Sequence, residues 1–152
     1  MSLSIFTGLS QAKVSESGVY LPPNGRFKLE ILKCQLVHPR DGSAAFVVDF
    51  KVLESSISDV KPGETRNWYQ KNNDSFLSAI LEFLAAAFGF NCNDPAHKAQ
   101  MEAQLKPQAE LYAEAAVGDQ QLLKGKLIKV ETQKRDTRAG GEFTRHVWLP
   151  VT

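Results

Sequence analysis

Apolar side chains recur along this chain with two different periods. From Arg26 to Val37, Phe27, Leu29 and Ile31 alternate with Lys28, Glu30 and Leu32, the period-two pattern of a half-buried strand. The alternation loses phase at Leu32-Lys33, where Cys34 and Leu36 take over, so a bulge or bend is expected there. The turn formers His38-Pro39-Arg40-Asp41-Gly42-Ser43 come next. A second strand then puts Phe46, Val48, Phe50 and Val52 on one face and Val47, Asp49 and Lys51 on the other. The two strands read as a long antiparallel hairpin. A loop from Ser55 to Gly63 leads to a third strand, Glu64 to Gln70, which holds Trp68 and Tyr69.

The period then changes to that of a helix. Asn72-Asn73-Asp74 offer N-caps, and Phe76, Leu77, Ile80, Leu81, Phe83, Leu84, Ala87 and Phe88 follow at helical spacing, with Gly89 placed to end the run. Apolar around most of its circumference, this helix is expected to be heavily buried. Asp94-Pro95 predicts the start of a second, more polar helix, and Pro107 breaks it before a segment from Gln108 to Val117 that Gly118 closes. Strand periodicity returns at Gly125 to Gln133, with Ile128 and Val130 opposite Lys129 and Glu131. Lys134 to Gly141 reads as a hairpin loop and Glu142 to Val151 as the closing strand. Residues 1 to 25, rich in Ser, Gly and Pro, read as an arm that docks on the body through Phe6, Leu9, Val19 and Tyr20.

Three strands, a helical insert over about residues 74–118 and two more strands form the order of the OB-fold. The expected fold is therefore mainly β, a five-stranded OB-fold barrel over residues 26–152 with the insert between strands three and four. A bent first strand suits it, since that strand serves both halves of the barrel. An open α+β sheet with helices on one face is the competing architecture.

Composition narrows the function classes. In 152 residues, 43% hydrophobic and 23% charged, 18 basic side chains face 17 acidic ones, an ordinary balance for one globular domain. No apolar run reaches the roughly 18 residues that span a bilayer, and no basic-then-apolar leader is visible. Cys34 and Cys92 lie far apart and outside any metal-binding pattern, which suits buried free thiols in a reducing compartment. His38, His97 and His146 belong to no ligand motif, and no Walker loop, nucleophile elbow or dinucleotide fingerprint is present. Nothing in the residues asks for an enzyme or a cofactor.

Charge is segregated along the chain. Residues 120–152 carry a local balance of +4, residues 74–119 one of −5, and the first 73 residues one of +2. The strands are positive and the insert negative, so a basic and an acidic face are expected despite a net charge of +1. In an OB-fold the ligand surface is formed by strands two and three, flanked by the loops between strands one and two and strands four and five. Arg66-Asn67-Trp68-Tyr69-Gln70-Lys71 interleaves aromatics with basic and amide groups, which suits bases stacking on rings while cations follow phosphates. Arg66, Trp68, Tyr69 and Lys71 would form a groove floor, and Arg40, Lys134, Arg135 and Arg138 its walls. Lys51 and Lys129, on outward strand faces, complete the candidate set. Trp68 and Tyr69 are adjacent in a strand, so they point to opposite faces and at least one helps to fill the core. Trp148 suits the core or the rim as well as it suits stacking.

Four segments carry a resemblance: Ser4-Ile5-Phe6-Thr7-Gly8-Leu9, Phe46 to Ser55, Phe83-Leu84-Ala85-Ala86-Ala87-Phe88-Gly89, and Ala139 to Trp148. Together they resemble small bacteriophage proteins of the OB-fold single-stranded DNA-binding family. The resemblance implies a protein of phage replication or recombination that coats and protects exposed strands in the host cytoplasm. It also implies replication or recombination proteins as partners; no membrane is expected, since no apolar run is long enough, and a homodimer is left open. Many such proteins recruit enzymes through an acidic tail with a terminal aromatic. This sequence stops at Leu149-Pro150-Val151-Thr152, so that route is not expected unless Asp94, Glu102, Glu110 and Glu114 of the insert replace it or the chain was trimmed. The alternatives are an OB-like module that binds protein through its insert and, more remotely, a small nuclease.

Overall fold

The computed structural model describes residues 20 to 38, 44 to 136 and 141 to 151. The expected docking of Phe6, Leu9 and Val19, and the candidate positions Arg40 and Arg138, lie outside the described residues. Five strands form one antiparallel sheet: β1 (Arg26–Val37), β2 (Ala45–Ser55), β3 (Thr65–Lys71), β4 (Leu127–Asp136) and β5 (Glu142–Leu149), in the order β3-β2-β1-β4-β5. The helices α1 (Phe76–Ala87), α2 (Pro95–Gln104) and α3 (Ala109–Val117) lie between β3 and β4, as expected. A single 3-10 turn, Lys106–Gln108, forms where Pro107 interrupts the helical run.

The phase slip in β1 is a register shift. Ile31 pairs with Phe50 and Lys33 with Asp49, leaving Leu32 as the extra residue. Leu29 and Ile31 before the bulge and Cys34 after it are thereby all turned inward and almost fully buried. The expectation of a closed barrel is not met, because the hydrogen-bonded sheet ends at β3 on one side and β5 on the other. Side chains bridge that seam instead: the rings of Trp68 on β3 and Trp148 on β5 lie 4.8 Å apart, centroid to centroid.

Phe83 of α1 packs beneath this bridge, 5.3 Å from Trp68, 5.0 Å from Trp148 and about 6 Å from Phe46 and Phe50. Helix α1 buries Ile80, Phe83 and Leu84 but leaves Leu77 78% exposed, so its burial is one-sided rather than complete. It ends as expected at Gly89, whose φ of +92° suits glycine. There the Phe90 amide donates to Ala85 and the Gly89 amide to Ala86, closing a Schellman turn. Its start differs from the expectation. Ser75 takes the N-cap position without a side-chain cap, and the Asn73 side chain accepts from the Ser75 amide. At α2, Asp94 caps the Ala96 amide as expected.

Residues 20–25 bind to the body. Tyr20 bridges to Asn67 in parallel register, Leu21 is buried, and Thr132 Oγ1 donates to the Pro22 carbonyl at 2.6 Å. Gly25 is wedged so tightly that a Cβ there would lie 2.5 Å from both Ile57 Cδ1 and the Phe27 ring. Phe27 is itself buried and cannot easily give way. Gly25→Ala is therefore expected to cost about 1–3 kcal/mol, read as a lower denaturant midpoint in chemical unfolding; an unchanged midpoint would contradict the close approach.

Candidate nucleic-acid interface

The open seam between β3 and β5 is a cleft with two lobes. One, of about 640 Å³, is lined by Tyr20 and Leu21, by Asn67 to Lys71 of β3, and by Thr144 and His146 of β5. The other, of about 590 Å³, lies between β5 and the start of α1, with Phe143, Arg145, Ser75 and Ser78 among its walls. Trp68, Gln70, Asn73, Thr144 and His146 line both.

Sheet register decides which way each β3 side chain points. Trp68 pairs with Val48, whose side chain fills the core, and is only 3% exposed. Its ring belongs to the Phe83 cluster, so it serves as the buried floor of the cleft rather than as an open stacking platform. Tyr69 pairs with Val47 on the opposite face and remains half-buried along the cleft, with exposed Lys71 beyond it. Of the two adjacent aromatics, Trp68 is the core residue.

Other candidates sit elsewhere. Arg66 is buried and pairs with Glu64 at 2.7 Å while donating to the carbonyls of Tyr20 and Asp59. It ties the arm and the 55–64 loop to β3, so it is committed to structure and does not form groove floor. The Arg66 hydrogen bond also holds the Glu64 carboxyl below its usual value. Lys51 is paired in register with Glu30, next to the Lys33–Asp49 pair and the Lys28–Glu54 ion pair. This outer face of β1 and β2 alternates in sign and is close to neutral. Lys129 is exposed on β4 opposite Leu149, away from the cleft.

Lys134 and Arg135 are strand residues, not loop residues. Their partners are Thr144 and Phe143, and the β4–β5 ribbon continues to Asp136 and Glu142. One face of this ribbon carries Gln133, Arg135, Phe143 and Arg145, with Arg135 directly opposite Phe143 and Arg145 two residues along. Phe143 is 50% exposed. Sequence reasoning missed Phe143, Arg145, Asn67 and His146 as cleft residues. The available signal was an aromatic at a cation-flanked position in a segment otherwise too polar to need one.

His146 stacks on Trp148, with centroids 5.5 Å apart and planes 14° from parallel, and lies 6.0 Å from Trp68. Burial pushes its imidazole down to about 4, against the opposing effect of a backbone hydrogen bond to Thr144. The ring is neutral at pH 7 and acts as an aromatic wall. Burial, reinforced by the Asp49 charge, raises the Cys34 thiol to about 12, while Cys92 is raised by burial and then by Glu82. Both are free thiols of low reactivity.

Among the described residues, no group of three or more His, Cys, Asp or Glu could hold a metal ion, and no helix is long and apolar enough to cross a membrane. No protein-family model and no curated protein matches the chain.

The lowered His146 value has a consequence for stability. Between pH 6.5 and about 4 the unfolded chain binds a proton that the folded chain refuses, so this contribution is complete above 6.5 and lost as pH falls. The loss amounts to roughly 3 kcal/mol by pH 4. Urea unfolding of His146→Phe is expected to show a shallower decline between pH 7 and 4.5 than the parent; parallel declines would contradict it.

Proposed function

We propose that the chain binds single-stranded DNA with little sequence preference, using the β4–β5 ribbon and the cleft beside it, in phage-type replication or recombination. The observation that carries this reading is Phe143, half-exposed on an edge strand between Arg135 and Arg145. A large apolar ring in that position offers a base a stacking surface, and the flanking guanidiniums offer charge to the backbone phosphates. Lys71 and Tyr69 continue the same chemistry on the opposite bank of the cleft.

The strand order supports the finer assignment to an OB-fold. Order β3-β2-β1-β4-β5 with a helical insert after β3 is compatible with an OB barrel whose β3–β5 seam is bridged by side chains instead of backbone bonds. The resemblance of several segments to phage single-strand binders agrees with this reading. In it the protein is non-catalytic and needs no cofactor. Protein partners from replication or recombination would meet the acidic insert.

Fluorescence anisotropy with labelled oligo-dT tests the proposal. Binding is expected to weaken with salt along a log-log slope of about −0.7 per phosphate contacted. Phe143→Ala is expected to weaken binding by about 5-fold or more, the value of one stacked base. Arg135→Ala and Arg145→Ala should each make the slope shallower by about 0.7. Absence of binding at low salt would overturn the proposal. An unchanged slope in both arginine variants would move the site off the ribbon.

A further inference from the structure

Asn67 is the one buried side-chain group among the described residues whose polar atom lacks a hydrogen-bond partner. It is 8% exposed, and its Oδ1 is closed off from water. A buried amide oxygen without a partner is costly, and an apolar residue of similar shape would avoid that cost. The group also lines the larger lobe of the cleft. Tyr20 lies beside it across the parallel bridge and Tyr69 follows two residues along β3, and both residues line the same lobe. An unsatisfied carboxamide between two aromatic side chains, in a cleft large enough for a purine, is a receptor for a flat heterocycle with adjacent donor and acceptor atoms.

We infer that this lobe takes one base of the bound strand and that the Asn67 carboxamide reads its edge, favouring adenine. Adenine presents its N6 amine beside N7, the pair that a carboxamide engages with two hydrogen bonds. The base is held between the tyrosine rings while the ribbon holds the flanking phosphates. Oδ1 is shut away from water, so presenting it to a base takes a rotation of the carboxamide about χ2. The inference rests on the single-strand reading above and adds to it a site of base preference in an otherwise tolerant surface.

The test uses abasic strands carrying a single internal dA, dT or no base, titrated by anisotropy against the full chain and Asn67→Leu. The parent is expected to bind the dA strand at least about fivefold tighter than the dT strand. Asn67→Leu should abolish that preference and leave the affinity for the base-free strand unchanged. Relief of the unpaired oxygen should also raise the melting temperature of this variant by about 2–4 °C. If the leucine variant does not fold, Asn67→Asp is read on the same strands and should likewise lose the preference. Equal affinity for dA and dT strands in the parent, or a preference that survives substitution, overturns this inference while strand binding stands. A lower melting temperature with unchanged selectivity assigns Asn67 a structural role and overturns it as well. Failure of every strand, oligo-dT included, removes the single-strand reading itself.

Discussion

The structure depends on how two sheet edges that share no backbone hydrogen bonds are kept together. Edge strands expose unpaired amides and carbonyls, and an open pair of edges would normally splay or recruit another strand. Here Trp68 from β3 and Trp148 from β5 meet over Phe83, and Phe46 and Phe50 complete the cluster. Each such ring pair adds about 0.5–1.5 kcal/mol beyond the burial of its area. The clamp acts at one level of the seam and leaves the strands apart beyond it. The Schellman turn at Gly89 ends α1 one and a half turns after Phe83, while Arg66 and Thr132 bind the arm across the far end of the seam. The cleft is thus a consequence of closing a sheet with side chains.

Charge is distributed to match. On β1 and β2, opposite charges face each other across the strands, so that face offers little net attraction to a polyanion. The insert carries a local balance of −5 and residues 120–152 one of +4, so positive charge is concentrated in the part of the chain that holds the exposed Phe143. A net charge of +1 conceals this arrangement, because association with a polyanion depends on local potential more than on the total.

Much of the fold was legible in the sequence. The strand and helix periods located the five strands and the insert, the slip at Leu32 marked the bulge, and Gly89 and Asp94-Pro95 marked helix ends. Each is a local signal with a local cause. The β4–β5 ribbon runs further than the alternation shows because Lys134 to Asp136 have no buried face, and without a buried face the period of two disappears. The orientation of Trp68 depends on pairing with Val48, and the open seam depends on whether β3 and β5 can bond, neither of which is encoded locally. The same holds for the candidate site. Tyr69, Lys71, Lys134 and Arg135 are visible as residue types, whereas the pairing that engages Arg66 with Glu64 exists only in the folded strand. Asn67 carries no signal in sequence at all, since an unpaired oxygen exists only once its surroundings are built.

The central claim is that the seam between β3 and β5 is the binding surface and the rest of the sheet its support. Backbone amide shifts in a ¹H–¹⁵N correlation spectrum, followed during titration with oligo-dT, test it most directly. The largest changes are expected on Asn67 to Lys71 and on Phe143 to His146, with little change on the outer face of β1 and β2. Changes concentrated in α1 to α3, or on the Lys28–Lys51 face with the seam silent, would contradict it.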